Sequence, residues 1–368
     1  MSEKRFIVSI EKCSSYDPEK VRVALENGLK NINFELEENL KILIKPNLIF
    51  PAKPETAIIT HPIVLEELCK ILKKKNATIF IGESSSYDTD KSFEISGINK
   101  LSKYAKIINF ESSPKKFFNL GAGELMNVPF PEILFDVDLI INVSKLKTHN
   151  FTRATLCVKN LYGCIPGGLK GKFHGVIPSI QNFSKFLLKI SEKINPGLNI
   201  IDGVVGLEGN GPGFAGKPKN SGILVVSKKA VAGDFAASKL MGFKPKEIYT
   251  NKFSGIDESE IKIVGNAKDT QLNFRKPKFS PKIFLSGFLK FLPGPKISFD
   301  KLKCVKCGIC RDKCPVGAIE LDKEIKCKHK KCINCLCCIE VCPNAAVFLE
   351  RPFIIRFLKS IIVRKQKV

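Results

Sequence analysis

The chain has 368 residues and a formal net charge of +24, from 60 basic and 36 acidic residues. Its hydrophobic content of 44% and charged content of 26% are typical of a globular protein and exclude a disordered chain. The length suits one large domain and a smaller one. The lysines are spread along the chain without a nucleic-acid-binding motif, so we expect a solvated, lysine-rich surface and no nucleic acid as a partner.

No stretch reaches the roughly 18 consecutive apolar residues that a membrane-spanning helix needs. The first residues also lack an apolar signal segment, so we expect a cytoplasmic protein. In a reducing compartment, clustered cysteines bind metals more often than they form disulfides. Because the chain has 14 cysteines, this expectation favours a metal or cluster site.

Apolar runs of strand length alternate with segments of helical period through most of the chain. The predicted strands are residues 6–10, 42–44, 78–81, 107–110, 139–143, 198–201 and 223–226. The predicted helices include residues 21–29, 64–74 and 230–241. Alternation of helices with continuously apolar strands predicts an α/β fold, with a mainly parallel sheet covered by helices on both faces.

Polar residues follow five of the predicted strands. In open parallel sheets, ligands bind outside the carboxyl ends of the strands, so these residues are candidates for one cleft. They are Lys45, Asn47, Glu83, Lys145, Lys147, His149, Asp202, Glu208 and Asp234. The alternative is that strand ends are polar simply because loops are polar, and this explains any one of the five more easily than all of them.

A glycine-rich loop at residues 162–172 lies between Lys159 and His174, two further candidates for the cleft. We expect Lys45, Asn47, Glu83, Lys145, Lys147, Lys159 and Glu208 to bind an anionic substrate or cofactor. We expect His149, His174, Asp202 and Asp234 to be acid–base groups or metal ligands. Loop capping is the alternative for the carboxylates, and a satisfied core position is the alternative for each histidine. Lys170 and Lys172 are predicted to lie on the solvated surface.

Residues 211–217 match both GxGxxG and GxxxxGK, two phosphate-binding patterns. The second pattern needs Ser or Thr at the position of Pro218, and proline would break the helix that should follow. We interpret this segment as a turn-rich loop.

Ten of the 14 cysteines lie between residues 304 and 342, in two runs of the form Cys-x-x-Cys-x-x-Cys-x-x-x-Cys-Pro. This is the spacing of bacterial two-cluster ferredoxins, in which the fourth cysteine of each run ligates the other cluster. The first 4Fe-4S cluster would be held by Cys304, Cys307, Cys310 and Cys342. The second would be held by Cys332, Cys335, Cys338 and Cys314. A structural zinc module is the alternative, but zinc sites usually show two separate Cys-x-x-Cys pairs.

The change in composition predicts four segments. They are an α/β domain at 1–278, a linker at 279–300, a small α+β ferredoxin-like domain at 301–350 and a basic amphipathic tail at 351–368. We expect Cys327 and Cys337 to be packed rather than ligating. The tail is expected to pack on the protein, with an anionic membrane surface as the less favoured alternative.

Several motifs recur in order and resemble the large prokaryotic family catalogued as domain of unknown function 362. They are Lys45-Pro-Asn, SKLKTHN, CVKNLYGCIPGGLKGKFH, IIDGVVGLEGNGPGFAGKP and Ala232-Gly-Asp. The resemblance covers roughly residues 5–265, and family members often carry a ferredoxin module. The resemblance implies that the chain is a member of this family, but it does not imply an activity. It also implies an acidic residue soon after His174, and this sequence has none there.

These patterns favour an iron–sulfur redox protein that couples its clusters to an anionic molecule at the sheet. Whether the chain is itself an oxidoreductase stays open, as does a further metal or anionic cofactor. Because residues 301–368 are strongly basic, we expect a redox partner protein with an acidic docking face. One alternative is a non-redox, racemase-like metal enzyme with structural or sensing clusters, and another is an electron carrier or assembly factor without its own catalysis.

Overall fold

The computed structural model describes residues 6–121, 127–177, 179–278 and 296–350. The predicted tail and most of the predicted linker lie outside these ranges. The predicted α/β domain and the ferredoxin-like domain lie largely inside them.

The described residues form the following strands and helices. The strands are β1 Phe6–Lys12, β2 Lys41–Lys45, β3 Thr78–Glu83, β4 Lys106–Asn109, β5 Lys115–Phe118, β6 Val128–Pro131, β7 Leu139–His149, β8 Arg153–Thr155, β9 Leu198–Gly209, β10 Gly216–Ser227, β11 Ile261–Val264, β12 Lys296–Phe299, β13 Ile319–Leu321, β14 Ile325–Cys327 and β15 Val347–Glu350. The helices are α1 Pro18–Asn31, α2 Pro62–Lys73, α3 Thr89–Ser96, α4 Cys157–Asn160, α5 Leu169–Val176, α6 Ile180–Ile194, α7 Ala230–Leu240, α8 Tyr249–Phe253, α9 Ile309–Asp312 and α10 Cys337–Glu340.

The large sheet has the strand order β11-β1-β10-β9-β7-β2-β3-β4, with β8 paired to β7. Most pairs are parallel, including β2 with β3 and β7, and β7 with β9. Only β10 on this path is antiparallel to its neighbours, β1 and β9. The predicted mainly parallel α/β sheet is therefore confirmed.

The carboxyl ends of the parallel strands lie at one edge of the sheet, which we call the rim. The orientation of β10 corrects one expectation about which residues lie there. A short loop joins β9 to β10 as a hairpin, and a two-stranded hairpin is necessarily antiparallel. The carboxyl end of β10 therefore lies at the opposite edge from the carboxyl ends of β2, β3, β7 and β9. Asp234, on the helix that follows β10, was expected at the common rim, and that expectation is wrong.

Helices cover both faces of the sheet, as predicted. On one face Leu25 of α1 and Leu68 of α2 pack into a buried apolar cluster. On the other face Phe183 of α6 and Phe235 of α7 belong to a second cluster. Full burial of each such side chain contributes about 1.5–3 kcal/mol of transfer free energy, so the two cores fix the sheet between its helices.

The first helix shows how local sequence sets an element. Asp17 precedes α1, and its side chain accepts a hydrogen bond from the Lys20 amide at 3.1 Å. Pro18 occupies the first helical position, where its missing N–H costs nothing and its fixed φ suits the helix. Lys30 in the last turn complements the helix dipole.

The small domain consists of two short antiparallel pairs, β12 with β15 and β13 with β14. Helices α9 and α10 each carry the third cysteine of a run, Cys310 and Cys338. We call residues 296–350 the iron–sulfur module. In the described part of the chain, no helix combines the length and apolar character needed to cross a membrane.

Candidate functional site

A cavity of about 340 Å³ lies between the carboxyl ends of the parallel strands and the iron–sulfur module. The polar and ionisable residues that line it from the α/β domain are Asn47, Glu83, Ser84, Ser86, Lys147, His149, Thr155, Lys159, Asn160, Tyr162, Lys170, Lys172 and His174. Those from the module are Asp312, Lys313, Cys314, Cys337 and Glu340. Five lysines and two histidines thus share the cavity with three carboxylates.

Lys147 is fully buried on β7 and has no carboxylate within ion-pair distance among the described residues. Its Nζ donates hydrogen bonds of 2.7 Å to Asn47 Oδ1 and to the Ile58 carbonyl. Burial lowers its pKa well below the usual range, and the nearby Lys159 lowers the pKa further. An anion bound beside this desolvated amine would favour its protonated, positively charged form.

Asn47 is itself held by a ladder of amide side chains. Its Nδ2 donates to Asn160 Oδ1 at 2.8 Å, and Asn160 Nδ2 donates to Asn142 Oδ1 at 2.7 Å. Asn142 Nδ2 then donates to Asn199 Oδ1 at 2.9 Å. Each amide therefore has a defined orientation, which turns the Asn47 carbonyl towards Lys147. Asn142 and Asn199 could not be recognised as site residues from the sequence, because each is a single polar residue within an apolar strand.

Lys159 lies against aromatic rings rather than carboxylates. Its Nζ is 5.3 Å from the centroid of Tyr162 and 5.9 Å from that of Phe183. These are cation–π distances. Burial lowers the pKa of Lys159, and Glu340 and Cys337 act in the opposite direction.

His174 belongs to the same aromatic group. Its ring stacks on Phe183 with centroids 4.3 Å apart, and its buried Nδ1 has no hydrogen-bond partner among the described residues. Burial lowers the pKa of His174 to about 3, so the imidazole is neutral at physiological pH. It can offer a neutral donor or acceptor at the cavity but not a positive charge.

The tautomer of His149 follows from its backbone contacts. Its Nδ1 accepts hydrogen bonds from the amides of Phe151 at 3.0 Å and Thr152 at 3.3 Å, so the neutral ring carries its proton on Nε2. Nε2 lies 3.2 Å from Oε1 of Glu340, an ion-pair distance without hydrogen-bond geometry. Burial lowers the pKa of His149 well below its usual range, so the contact joins a neutral ring to a carboxyl group.

Lys170 was expected on the solvated surface, and that prediction is wrong. The side chain is buried, and Nζ donates to the Ser84 carbonyl at 2.5 Å, to Ser84 Oγ at 3.0 Å and to the Ile165 carbonyl at 3.1 Å. Burial lowers the pKa of Lys170 to about 8. The glycine-rich loop folds back over the rim and carries Lys170 inward, whereas Lys172 is exposed as expected.

Lys45 and Glu83 form a fully buried ion pair behind the cavity wall, with Nζ to Oε2 at 2.5 Å. Glu83 lines the cavity, and its Oε1 also accepts from the Ser84 amide at 2.8 Å. Gly163 lies directly over the pair, because a Cβ there would collide with Glu83 Oε1. Only glycine allows this close approach.

Lys145 and Asp202 were expected in the same cleft, but they form a separate buried cluster. Lys145 Nζ lies 2.7 Å from Asp202 Oδ2 and 2.7 Å from the hydroxyl of Tyr16, which donates to Asp202 Oδ1 at 2.9 Å. Neither Lys145 nor Asp202 lines the cavity. Burial lowers the pKa of Lys145. The cluster joins β7, β9 and the segment after β1.

Glu208 and Asp234 also lie away from the cavity lining. Glu208 accepts hydrogen bonds from Arg275, at 2.9 Å from its amide and 2.5 Å from its Nε. Asp234 accepts hydrogen bonds from the amides of Cys157 at 2.6 Å and Val158 at 3.1 Å at the start of α4. Both carboxylates therefore fix loops or helix ends. Burial raises the pKa of Asp234 to about 7.

The cysteines of the iron–sulfur module fall into two groups around two internal voids. Cys304, Cys307, Cys310 and Cys342 line one void. Cys314, Cys332, Cys335 and Cys338 line the other, together with Cys327 and Cys337. The amides of Ala318 and Ala346 each donate to a sulfur, Cys314 Sγ and Cys342 Sγ, at 3.2 Å. Four thiolates with amide donors to sulfur are the donor set that a 4Fe-4S cluster needs.

The second void and the cavity share a wall. Cys314 and Cys337 line both of them. The cysteines of each group surround a void rather than meet at one point, and among the described residues no three His, Cys, Asp or Glu side chains converge closely enough to hold a single metal ion. A further metal at the rim therefore stays a prediction.

These features define an iron–sulfur protein with an α/β domain, and the model of the 4Fe-4S binding domain matches residues 297–320. The chain belongs to the family described as domain of unknown function DUF362, whose model matches residues 42–239. This confirms the resemblance drawn from the motifs.

One relative is a thylakoid-associated protein of Synechocystis sp., which is 28% identical over 253 residues, or 66% of this chain and 77% of that protein. Among solved structures, the lactate racemase apoprotein from Thermoanaerobacterium thermosaccharolyticum aligns with a TM-score of 0.35 and 18% identity. The alignment covers 55% of this chain and 52% of that one, so this chain spans about half the length of the racemase.

Proposed function

We propose that the cavity binds a small anionic molecule and exchanges electrons with it through an adjacent 4Fe-4S cluster. The observation that carries this proposal is the position of Cys314, which lines both the cavity and the void of the second cysteine group. A ligand in the cavity would therefore contact the protein shell of that cluster directly.

The charge and hydrogen bonding of the cavity support an anion as the ligand. Lys147 and Lys159 are desolvated and have no carboxylate within ion-pair distance in the described ranges. His149 and His174 are neutral by virtue of burial, which lowers the pKa of each ring. A carboxylate or phosphate would lie beside two lysines that have no paired carboxylate, and its charge would favour their protonated forms in a setting where charge pairing is only weakly screened.

We propose two clusters, one in each void, with the ligand sets that the spacing predicts. Each cluster carries one electron, so two clusters can supply a two-electron reaction in successive steps. The second cluster faces the cavity, and Cys307 of the first group is exposed. Electrons would enter at the first cluster and leave at the second.

The surface round the first group supports a docking role for it. Leu302 is 99% exposed and Val305 is 66% exposed, and both lie among lysines at residues 301, 303 and 306. An apolar spot with a basic rim fits a redox partner with an acidic face. We retain the proposed division into an α/β domain at 1–278 and a ferredoxin-like domain at 301–350, joined by a linker.

The proposal is tested with anaerobic holoprotein reduced by dithionite. Inorganic phosphate or acetate is added, and the electron paramagnetic resonance spectrum of the reduced clusters is compared before and after the addition. We expect a change in wild type, its loss in Lys147→Met, and its retention in Lys91→Met, which removes an exposed lysine on α3. A spectrum that neither anion alters would count against the anion site. Turnover that survives loss of the clusters would favour the non-redox alternative.

A further inference from the structure

We propose that the side chain of Glu340 faces the lysines of the cavity in the ligand-free protein and is displaced when an anion binds. This inference rests on the proposed anion site. It adds that a side chain of the protein itself competes with the anion for that site. Glu340 comes from the iron–sulfur module, so the competitor belongs to one domain and the lysines to the other.

The first argument is the unsatisfied state of the carboxyl group. The Glu340 side chain is 11% exposed, and Oε1 has no hydrogen-bond partner among the described residues. Its contact with His149 Nε2, at 3.2 Å, lacks hydrogen-bond geometry. Buried polar atoms normally have partners, so this oxygen has no hydrogen bond to lose when the side chain moves.

The second argument is that Glu340 differs from the other two carboxylates of the cavity. Glu83 is paired with Lys45 at 2.5 Å, and Asp312 is paired with Arg311 at 2.8 Å. Glu340 has no lysine or arginine within ion-pair distance in the part of the chain that the structure describes. Its negative charge is therefore available to the cavity lysines.

The third argument concerns the lysines themselves. Lys147 and Lys159 line the same cavity as Glu340. Neither has a carboxylate partner within 4.0 Å among the described residues. An incoming anion would bind beside the same two lysines. Its negative charge would then repel the carboxylate of Glu340.

The backbone of Glu340 packs closely against the α/β domain. A Cβ at Gly213, in the loop between β9 and β10, would lie 2.6 Å from the Glu340 carbonyl oxygen. The loop therefore seats the end of α10 against the α/β domain. Movement on anion binding would therefore be confined to the side chain of Glu340, which lies in the sequence between the proposed cluster ligands Cys338 and Cys342.

The test compares anion binding by wild type, Glu340→Gln, Asp312→Asn and Lys147→Met as anaerobic holoproteins of equal iron content. Inorganic phosphate and acetate are titrated by calorimetry. We expect Glu340→Gln to bind at least one probe about tenfold more tightly, because the competing charge is gone. Asp312→Asn is the matched control, since it removes a carboxylate that lines the same cavity but is paired with Arg311, and its affinity should stay within about twofold.

A measurement on wild type alone avoids dependence on the folding of a variant. Phosphate binding should change a carboxylate band in the difference infrared spectrum as Glu340 moves. Unchanged affinity in Glu340→Gln, or binding to wild type without a carboxylate band change, would overturn the displacement and leave the anion site standing. No binding of either probe to wild type and Glu340→Gln would overturn the anion site, and the displacement with it.

Discussion

Lys45 Nζ and Glu83 Oε2 lie 2.5 Å apart, with side chains 0% and 2% exposed, at the ends of the adjacent parallel strands β2 and β3. Gly163 of the glycine-rich loop packs directly against this ion pair. The position of the loop, and with it Lys170, therefore depends on a charge pair that no solvent screens.

Glu83→Gln should destabilise the protein by about 3–5 kcal/mol, because it leaves the Lys45 ammonium buried without its counter-charge. The matched control is Glu38→Gln, which breaks the exposed Lys75–Glu38 pair at 3.6 Å and should cost no more than about 1 kcal/mol. Denaturant unfolding of the anaerobic holoprotein measures both. Equal losses in the two variants would contradict a structural role for the buried pair.

Gly163→Ala should lower stability by about 1–3 kcal/mol and weaken anion binding, because its Cβ would collide with Glu83 Oε1. Gly168→Ala changes the same loop, but a Cβ there meets no atom within 4 Å. Thermal unfolding and phosphate titration of the two variants separate close packing at Gly163 from a general effect of loop stiffening. A Gly168→Ala variant as damaged as Gly163→Ala would disprove the packing argument.

Anion affinity should fall as pH rises through about 8, where Lys170 loses its proton. The sign follows from the lowered pKa of this lysine: it is charged and attracts anions below about 8, and it is neutral above it. No step is expected near pH 6.5, the usual pKa of histidine, because burial holds the pKa of His174 near 3. Titration of acetate binding between about pH 6 and 9, where acetate itself stays ionised, measures the profile. Lys170→Met should flatten the upper step, and a profile unchanged in that variant would contradict this assignment.

Carefully reconstituted protein should contain about eight irons and eight sulfides per chain, from two cubanes of four irons each. Cys310→Ser should remove one cluster and weaken the other, because each run of cysteines contributes to both. Cys327→Ser and Cys337→Ser should retain both clusters, since these thiols are additional to the four in each group. Iron and sulfide assays with low-temperature paramagnetic resonance distinguish these outcomes. Four irons or fewer in wild type would rule out the two-cluster proposal.

Much of the fold could be predicted because strands buried on both faces have a distinctive apolar pattern. Each predicted strand lies within an observed one or overlaps it, as for residues 42–44 in β2. The extent of β7 could not be predicted in the same way. Lys145, Lys147 and His149 suggested a strand end, yet β7 continues through His149 because each side chain finds buried partners.

The site was only partly predictable, because charge alone does not distinguish a ligand-binding lysine from a paired one. Lys145 and Lys147 are two residues apart and equally buried. Asp202 pairs with the first, and no carboxylate pairs with the second among the described residues. Glu340 was missed because it belongs to the module, far along the chain, and no motif links it to His149.

The unequal exposure of the cysteine groups has a consequence for handling the protein in air. Cys307 is exposed, whereas Cys338 is buried, so dioxygen and chelators reach the first proposed cluster without crossing the α/β domain. We expect air to bleach the visible absorption in two phases, with the outer cluster lost first and the cluster beside the cavity persisting. A partly oxidised preparation would then keep its cavity-facing cluster but have no entry point for electrons, and would look inactive with a protein donor while still responding to a small diffusible reductant.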